Sequence, residues 1–197
     1  MTSEHYDMTT QDFVERLLSP ERAAMLDPTV ALKYCPIALD DKVADIGCGP
    51  GFFTLPLANL VVNGTVYALD IDQGMVDACR ERVEQAGLSN VETLICSEFD
   101  FPVEKGTLNG VFLAFVVQHG NPQEKLRLLQ ATRELLQPGG WGVVLEWFRI
   151  ETETGPPLER RVDPGTMEDF ARQAGYQVGE WRDLKNGEQY LMTLRNP

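Results

Sequence analysis

Residues Val43 to Gly51 read VADIGCGPG, an apolar strand pattern that passes through Asp45 into glycines at alternate positions, Gly47, Gly49 and Gly51. A glycine turn between a strand and a helix lets the backbone approach a ligand closely, and the residues around it decide which ligand. Phe52 and Phe53 follow Gly51, where a nucleoside-triphosphate loop requires Lys and then Ser or Thr. The dinucleotide fingerprint G-x-G-x-x-G needs its third glycine at position 52, which is again Phe52. Phosphate-binding readings are therefore disfavoured, and with them a nicotinamide-dependent oxidoreductase.

Outward from the turn, a second strand pattern, Thr65–Leu69, closes on Asp70, at roughly the separation of a ribose-binding carboxylate. S-adenosylmethionine carries no phosphate; it offers an ammonium, a carboxylate, a sulfonium and an adenosine. Asp45 beside the turn suits that ligand where it would repel a diphosphate. The glycines admit the methionyl part, N–H groups at the helix start can meet its carboxylate, and Asp70 can accept from both ribose hydroxyls. Each feature alone has an ordinary reading, as a strand-to-helix turn or a helix cap. In this order and together they point to S-adenosylmethionine.

Around the turn, strand and helix patterns alternate, the signature of a parallel sheet covered on both faces. The spacing predicts strands at Lys42–Ile46, Thr65–Leu69, Val91–Cys96, Val111–Val117 and Gly142–Phe148. Helices are expected from the glycines through Leu60 and from about Asp72 to Ala86. Asn121, Pro122 and Glu124 mark the start of another, which should end at Pro138 to Gly140. Asp163-Pro164 opens a further helix with Met167, Phe170, Ala171 and Ala174 on one face, closed by Gly175. Asn186-Gly187 lies between two strand-like runs and reads as a hairpin, so the last two strands should be antiparallel. Residues 1–41 read as an N-terminal helical attachment, with helices at about Asp12–Leu18, capped by Thr9 or Thr10, and Pro28–Ala38. Residues 42–197 form the main body of a single domain.

The 197 residues are 43% hydrophobic and 24% charged, enough for one full-sized core. A net charge of −13 argues against general affinity for nucleic acid or an anionic membrane. The longest apolar run, Val111–Val117, is too short to cross a bilayer, and the N-terminus has no basic leader, so a cytoplasmic protein is expected. Cys35, Cys48, Cys79 and Cys96 show no C-x-x-C spacing, and neither a structural disulfide nor a metal site is expected.

The stretches VADIGCGPGFFTLPLA, VYALDID, SEFDFPVEKGTLNGVFLAFVVQH and LLQPGGWGVVLEW, with PGTMEDFARQAGY near the C-terminus, resemble the class I S-adenosylmethionine-dependent methyltransferases. The sequence style is that of the group related to ubiquinone/menaquinone and arsenite methyltransferases. The resemblance covers about residues 28–195. It implies an α/β, Rossmann-like fold: a seven-stranded, mostly parallel sheet with an antiparallel last strand, as the hairpin suggested. It also implies that Gly47, Gly49 and Gly51 form the cofactor loop, that Asp45 reaches the methionyl end, and that Asp70 with Ile71 receives the ribose. Ser97 and Glu98 would flank the adenine; many relatives have Asp at the Ser97 position. Phe115 could line the cofactor cleft or belong to the core.

Methyl transfer from a sulfonium is an in-line displacement, so positioning is the main task and a general base is optional. His119, just beyond strand four, is the candidate base; its alternative role is to hold the loop or cap the Asn121 helix. Gln118, Glu146, Trp147 and Arg160 are candidates for holding the acceptor, against ordinary roles in packing or on a solvated surface. His5 and Tyr6 lie in a segment that can fold over the cofactor in similar enzymes. The cysteines are poorly placed for arsenic chemistry, and the chain is short for a quinone methyltransferase. The expectation is a methyltransferase for an unidentified small molecule, releasing S-adenosylhomocysteine, without metal, as monomer or homodimer. A non-catalytic sensor that binds S-adenosylmethionine is the rival reading.

Overall fold

A computed structural model describes residues 9–185 and 187–197. Among these, seven strands form one sheet in the order β3-β2-β1-β4-β5-β7-β6. In chain order the strands are β1 (Lys42–Ile46), β2 (Thr65–Asp70), β3 (Val91–Ile95), β4 (Leu108–Ala114), β5 (Leu136–Trp147), β6 (Gln177–Lys185) and β7 (Gln189–Arg195). The first five pair in parallel, and β7 runs antiparallel to both β5 and β6. Asn186, half of the expected hairpin signal, lies outside the described residues, as do His5 and Tyr6.

The helices are α1 (Thr10–Leu17), α2 (Pro20–Met25), α3 (Pro28–Leu32), α4 (Thr54–Leu60), α5 (Gln73–Gln85), α6 (Pro122–Leu135) and α7 (Pro164–Gln173). Their starts follow from side-chain caps. Thr9 and Asp12 make a capping box on α1, Asn121 and Glu124 make one on α6, and Asp72 and Asp163 cap α5 and α7. Each such cap is worth about 1 kcal/mol.

Neighbouring residues of the central strands point to opposite faces, and both faces are covered. Val43, Phe112, Val143 and Leu145 pack with Leu57 and Ala58 of α4. Ala44, Val111, Leu113 and Val144 pack with Leu129 of α6 and Met167 and Ala171 of α7. Double-sided burial is why β4 is apolar at successive positions. Leu26, Ala31 and Leu32 from the N-terminal helices join the first of these layers.

Several boundaries differ from the sequence expectation. β4 spans Leu108–Ala114 rather than Val111–Val117, because Phe115 adopts a left-handed φ of 61° that no strand can continue. α6 ends at Leu135, and Pro138 to Gly140 fall inside the span of β5. Leu136 already pairs with Leu108, and the register then jumps to Gly110 opposite Trp141, so PGG forms an excursion within β5 instead of a helix stop. The N-terminal segment holds three short helices instead of two; α3 stops at Leu32, and α2 begins on Ser19 as cap with Pro20 behind it.

Candidate active site

The glycine turn joins β1 to α4 at the C-terminal edge of the sheet, where parallel sheets open their ligand crevice. Gly47, Gly49 and Gly51 have φ of 68°, 54° and 83°, conformations that side chains rarely adopt. A Cβ on Gly47 would lie 2.6 Å from Val116 Cγ2, and one on Gly51 2.9 Å from Cys79 Sγ. Glycine is thus required at Gly47 and Gly51 by both backbone and space.

The turn's donors are not free. The N–H groups of Gly47 and Cys48 donate to Leu69 O at 2.8 and 3.0 Å, that of Gly51 to Cys48 O at 3.0 Å, and that of Gly49 to Asp70 Oδ2 at 2.8 Å. Residue 50 is proline and has none. The expectation that N–H groups of this turn would meet a ligand carboxylate is therefore corrected for residues 47–51: those of Gly47, Cys48 and Gly49 hold the turn against β2, and that of Gly51 closes the turn on itself.

Asp70 sits at the end of β2, half-buried, with Oδ2 on the Gly49 N–H and Oδ1 on the Asp72 N–H at 3.0 Å. Each carboxylate oxygen keeps a lone pair for a further donor. Ile71 beside it is 61% exposed, an apolar surface next to a polar anchor. Ser97 and Glu98 follow β3 and are exposed; the Cys96 N–H donates to Asp70 O at 3.0 Å, which keeps this loop beside Asp70. Asp45 is buried under the turn, its Oδ2 accepting from Thr54 Oγ1 at 2.6 Å. Burial pushes its carboxyl up to about 7, and nearby Asp70 adds to the rise while the Thr54 hydroxyl opposes it.

The edge formed by β4 and β5 is built differently. After the left-handed Phe115, whose N–H donates to Leu145 O at 2.8 Å, the loop is clamped from three sides. Gln118 N–H donates to Glu146 Oε1 at 3.0 Å, and Gln118 Nε2 to Phe115 O at 2.8 Å. The Lys125 ammonium donates to the carbonyls of Gln118, His119 and Gly120 at 2.8, 3.1 and 2.8 Å. Glu146 is fully buried, and burial pushes its carboxyl up to about 8 against the opposing pull of the Gln118 N–H. Among the described residues, its Oε2 and the Oε1 of Gln118 have no hydrogen-bond partner.

Gln118, His119, Lys125 and Arg160 line a cleft of about 350 Å³. Desolvation and the positive charges of Arg160 and Lys125 hold the His119 imidazole below its ordinary pKa, so it is neutral at pH 7. Its backbone secures the loop, donating to Val116 O and accepting from Lys125, while Asn121 supplies the helix cap. Arg160 is exposed at the cleft, whereas Arg161 is buried and ties the loop after β5 to itself through Pro156 O, Ile150 O and Thr152 Oγ1. Trp147 is buried between Phe115, 6.0 Å away, and the Arg161 guanidinium. Of the residues singled out from the sequence, Gln118, His119 and Arg160 thus meet at one cleft. Glu146 and Trp147 lie behind its wall.

Thr54, Lys125 and Arg22 were not singled out. Thr54 lies three residues beyond Gly51, a position with no motif of its own. A lysine on a charged helix reads as solvated until the fold turns it inward; Lys125 is 8% exposed. Among the described residues no group of three or more His, Cys, Asp or Glu could hold a metal ion, and no helix is long and apolar enough to cross a membrane.

Residues 43–140 match a protein family described as a methyltransferase domain. The chain is 27% identical over 156 residues to a carboxy-S-adenosyl-L-methionine synthase of Shewanella piezotolerans, covering 78% of this chain and 62% of that one. It is 31% identical over 106 residues to a demethylmenaquinone methyltransferase of Bacillus cytotoxicus, covering 53% of this chain and 44% of that one. The chain therefore spans less than two thirds of these curated relatives. Among solved structures, an S-adenosylmethionine-dependent methyltransferase from Aquifex aeolicus superposes with a TM-score of 0.88 at 26% identity, covering 96% of this chain and all of that one.

Proposed function

We propose that the chain, a class I S-adenosylmethionine-dependent methyltransferase by its matched domain and its fold, transfers a methyl group from S-adenosylmethionine to a small-molecule acceptor. The observation that carries this reading is Asp70. Its two carboxylate oxygens are each fixed by one backbone N–H, from Gly49 and Asp72, with a lone pair left on each for a vicinal diol. The apolar, exposed Ile71 next to it suits the adenosine. Gly47, Gly49 and Gly51 give the close approach that a methionyl chain needs, Asp45 offers a carboxyl for its ammonium, and Ser97 with Glu98 would flank the adenine. Phe115 lies where the two edges meet and would wall the cleft.

When bound, the donor supplies a sulfonium methyl already activated for displacement. The chain's own residues have to orient the acceptor and keep water away. Gln118 and Arg160 line the cleft and would orient it, and the loop that presents them is held rigid by Lys125 and Glu146. His119, neutral at pH 7, can accept a proton from an acceptor hydroxyl or amine. Trp147 supports Phe115 from behind. The named relatives act in different chemistry, so the acceptor does not follow from likeness.

Titration calorimetry with S-adenosylhomocysteine tests the donor site. Wild-type protein should bind, and Asp70→Ala should weaken binding more than about tenfold, because buried donors lose their acceptor. Unchanged affinity removes Asp70 from the site. Transfer of labelled methyl into a metabolite pool, lost in Asp70→Ala, distinguishes an enzyme from a sensor.

A further inference from the structure

Arg22, on α2, is half-buried, and its guanidinium lies over two aromatic rings, 4.8 Å from the centroid of Phe52 and 5.8 Å from that of Phe115. Phe52 follows the glycine turn and Phe115 follows β4, so this cation spans the two edges of the crevice. A guanidinium stacked on ring faces keeps its in-plane N–H groups available to a planar anion. One of them donates to Leu17 O at 3.2 Å. No carboxylate among the described residues pairs with it, and its charged neighbour is another cation, Arg16. A cation held this way against apolar walls is costly without an anion.

A second observation supplies the anion. The N–H groups of residues 47–51 are all used inside the protein, so the glycine turn has no donor of its own for the carboxylate of a methionyl chain. In a chain of net charge −13 that carboxylate needs a dedicated cation. Leu17, the last residue of α1 and the acceptor of the Arg22 hydrogen bond, already packs over Gly49: a Cβ there would lie 3.6 Å from Leu17 Cδ1.

We propose that Arg22 binds the α-carboxylate of the methyl donor and of its product, so that α2 recognises the amino-acid end of the ligand and is held over the crevice by it. The assignment rests on the donor site proposed above. It completes a charge pattern in which Asp45 faces the ammonium, Asp70 the ribose and Arg22 the carboxylate.

The test is calorimetry on full-length wild type, Arg22→Gln and Arg22→Lys. The two ligands are S-adenosylhomocysteine and its decarboxylated analogue, which keeps the ammonium and lacks the carboxylate. Wild type should prefer S-adenosylhomocysteine by at least about tenfold, a typical loss for a charged hydrogen-bonded pair. Arg22→Gln should lose that preference while binding the analogue within twofold of wild type, and Arg22→Lys, which keeps charge without the planar fork, should fall between. S-adenosylhomocysteine should also slow proteolysis within residues 10–25 of wild type more than the analogue does. Equal weakening of both ligands in Arg22→Gln, or no weakening of either, overturns the assignment; should that variant not fold, Arg22→Lys with an undiminished preference does the same. Wild-type protein that binds neither ligand overturns the donor site itself, and this assignment with it.

Discussion

At the β1–β2 edge of the sheet, the shape of the crevice is set by backbone: five consecutive residues with three left-handed glycines, tied to β2 through Leu69 O and the Asp70 carboxylate. At the β4–β5 edge it is set by side chains from distant parts of the chain. Glu146 reaches a loop 28 residues away, and Lys125 reaches back from α6 to three carbonyls. At Gly47 and Gly51 the first edge leaves no room for a Cβ, while the second edge can be re-aimed by single substitutions.

The sharpest way to break the comparison is Gly47→Ala. The substitution forces a left-handed alanine and drives its Cβ into Val116, at the seam between the two edges. S-adenosylhomocysteine affinity should fall at least about a hundredfold, and urea unfolding should show a loss of about 2–4 kcal/mol. Gly87→Ala is the control, since Gly87 has φ 66° with open space around it and should cost about 1 kcal/mol with binding intact. Similar losses in both variants would show that strain alone, without the steric seam, governs the turn.

Glu146→Gln probes the other edge through pH. The Glu146 carboxyl is raised by burial from 4.5 to about 8, so the folded protein holds a proton that the unfolded chain releases. Its contribution is fully present below pH 4.5 and is lost as pH rises through about 8. Glu146→Gln removes that slope, so its stability relative to wild type should improve by about 4 kcal/mol from pH 5 to pH 8.5. Parallel unfolding curves at both pH values would mean that the carboxyl ionises freely in the fold.

Lys125→Met should cost about 2 kcal/mol, because three carbonyls of residues 118–120 lose a charged donor. S-adenosylhomocysteine affinity should stay within about threefold. A matching loss of affinity would merge the two edges into one cooperative unit.

The same contrast decides what could be read from the sequence. The glycine turn, Asp70 and the capped helices are local patterns, and each depends on residues within a few positions of one another. The buried Glu146–Gln118 contact and the inward Lys125 are products of topology, with no local signal. The apolar run through Val117 overstates β4, because hydrophobicity continues past Phe115 while the backbone turns away. Pro138-Gly139-Gly140 imitates a helix stop, yet Leu136 is already paired to Leu108. Helix α2 carried its signal in Ser19 and Pro20, but six residues are too few for periodicity to register. Arg22 was hidden with it.

The smallest expected effect is a pH dependence confined to the donor edge. Burial, with Asp70 adding to it, raises the Asp45 carboxyl to about 7 in the free protein. An ammonium placed beside it favours the carboxylate, so binding is linked to loss of that proton. Affinity for S-adenosylhomocysteine should therefore rise as pH increases toward about 7 and level off above it. The gain from pH 6 to pH 7.5 should approach tenfold, about 1.4 kcal/mol. Asp45→Asn should bind more weakly at pH 8 and show no such slope. The decarboxylated analogue keeps the ammonium and should retain the slope, which separates the Asp45 contact from that of Arg22. A flat profile for wild type across this range would mean that Asp45, bonded to Thr54 beneath the turn, serves the fold rather than the ligand.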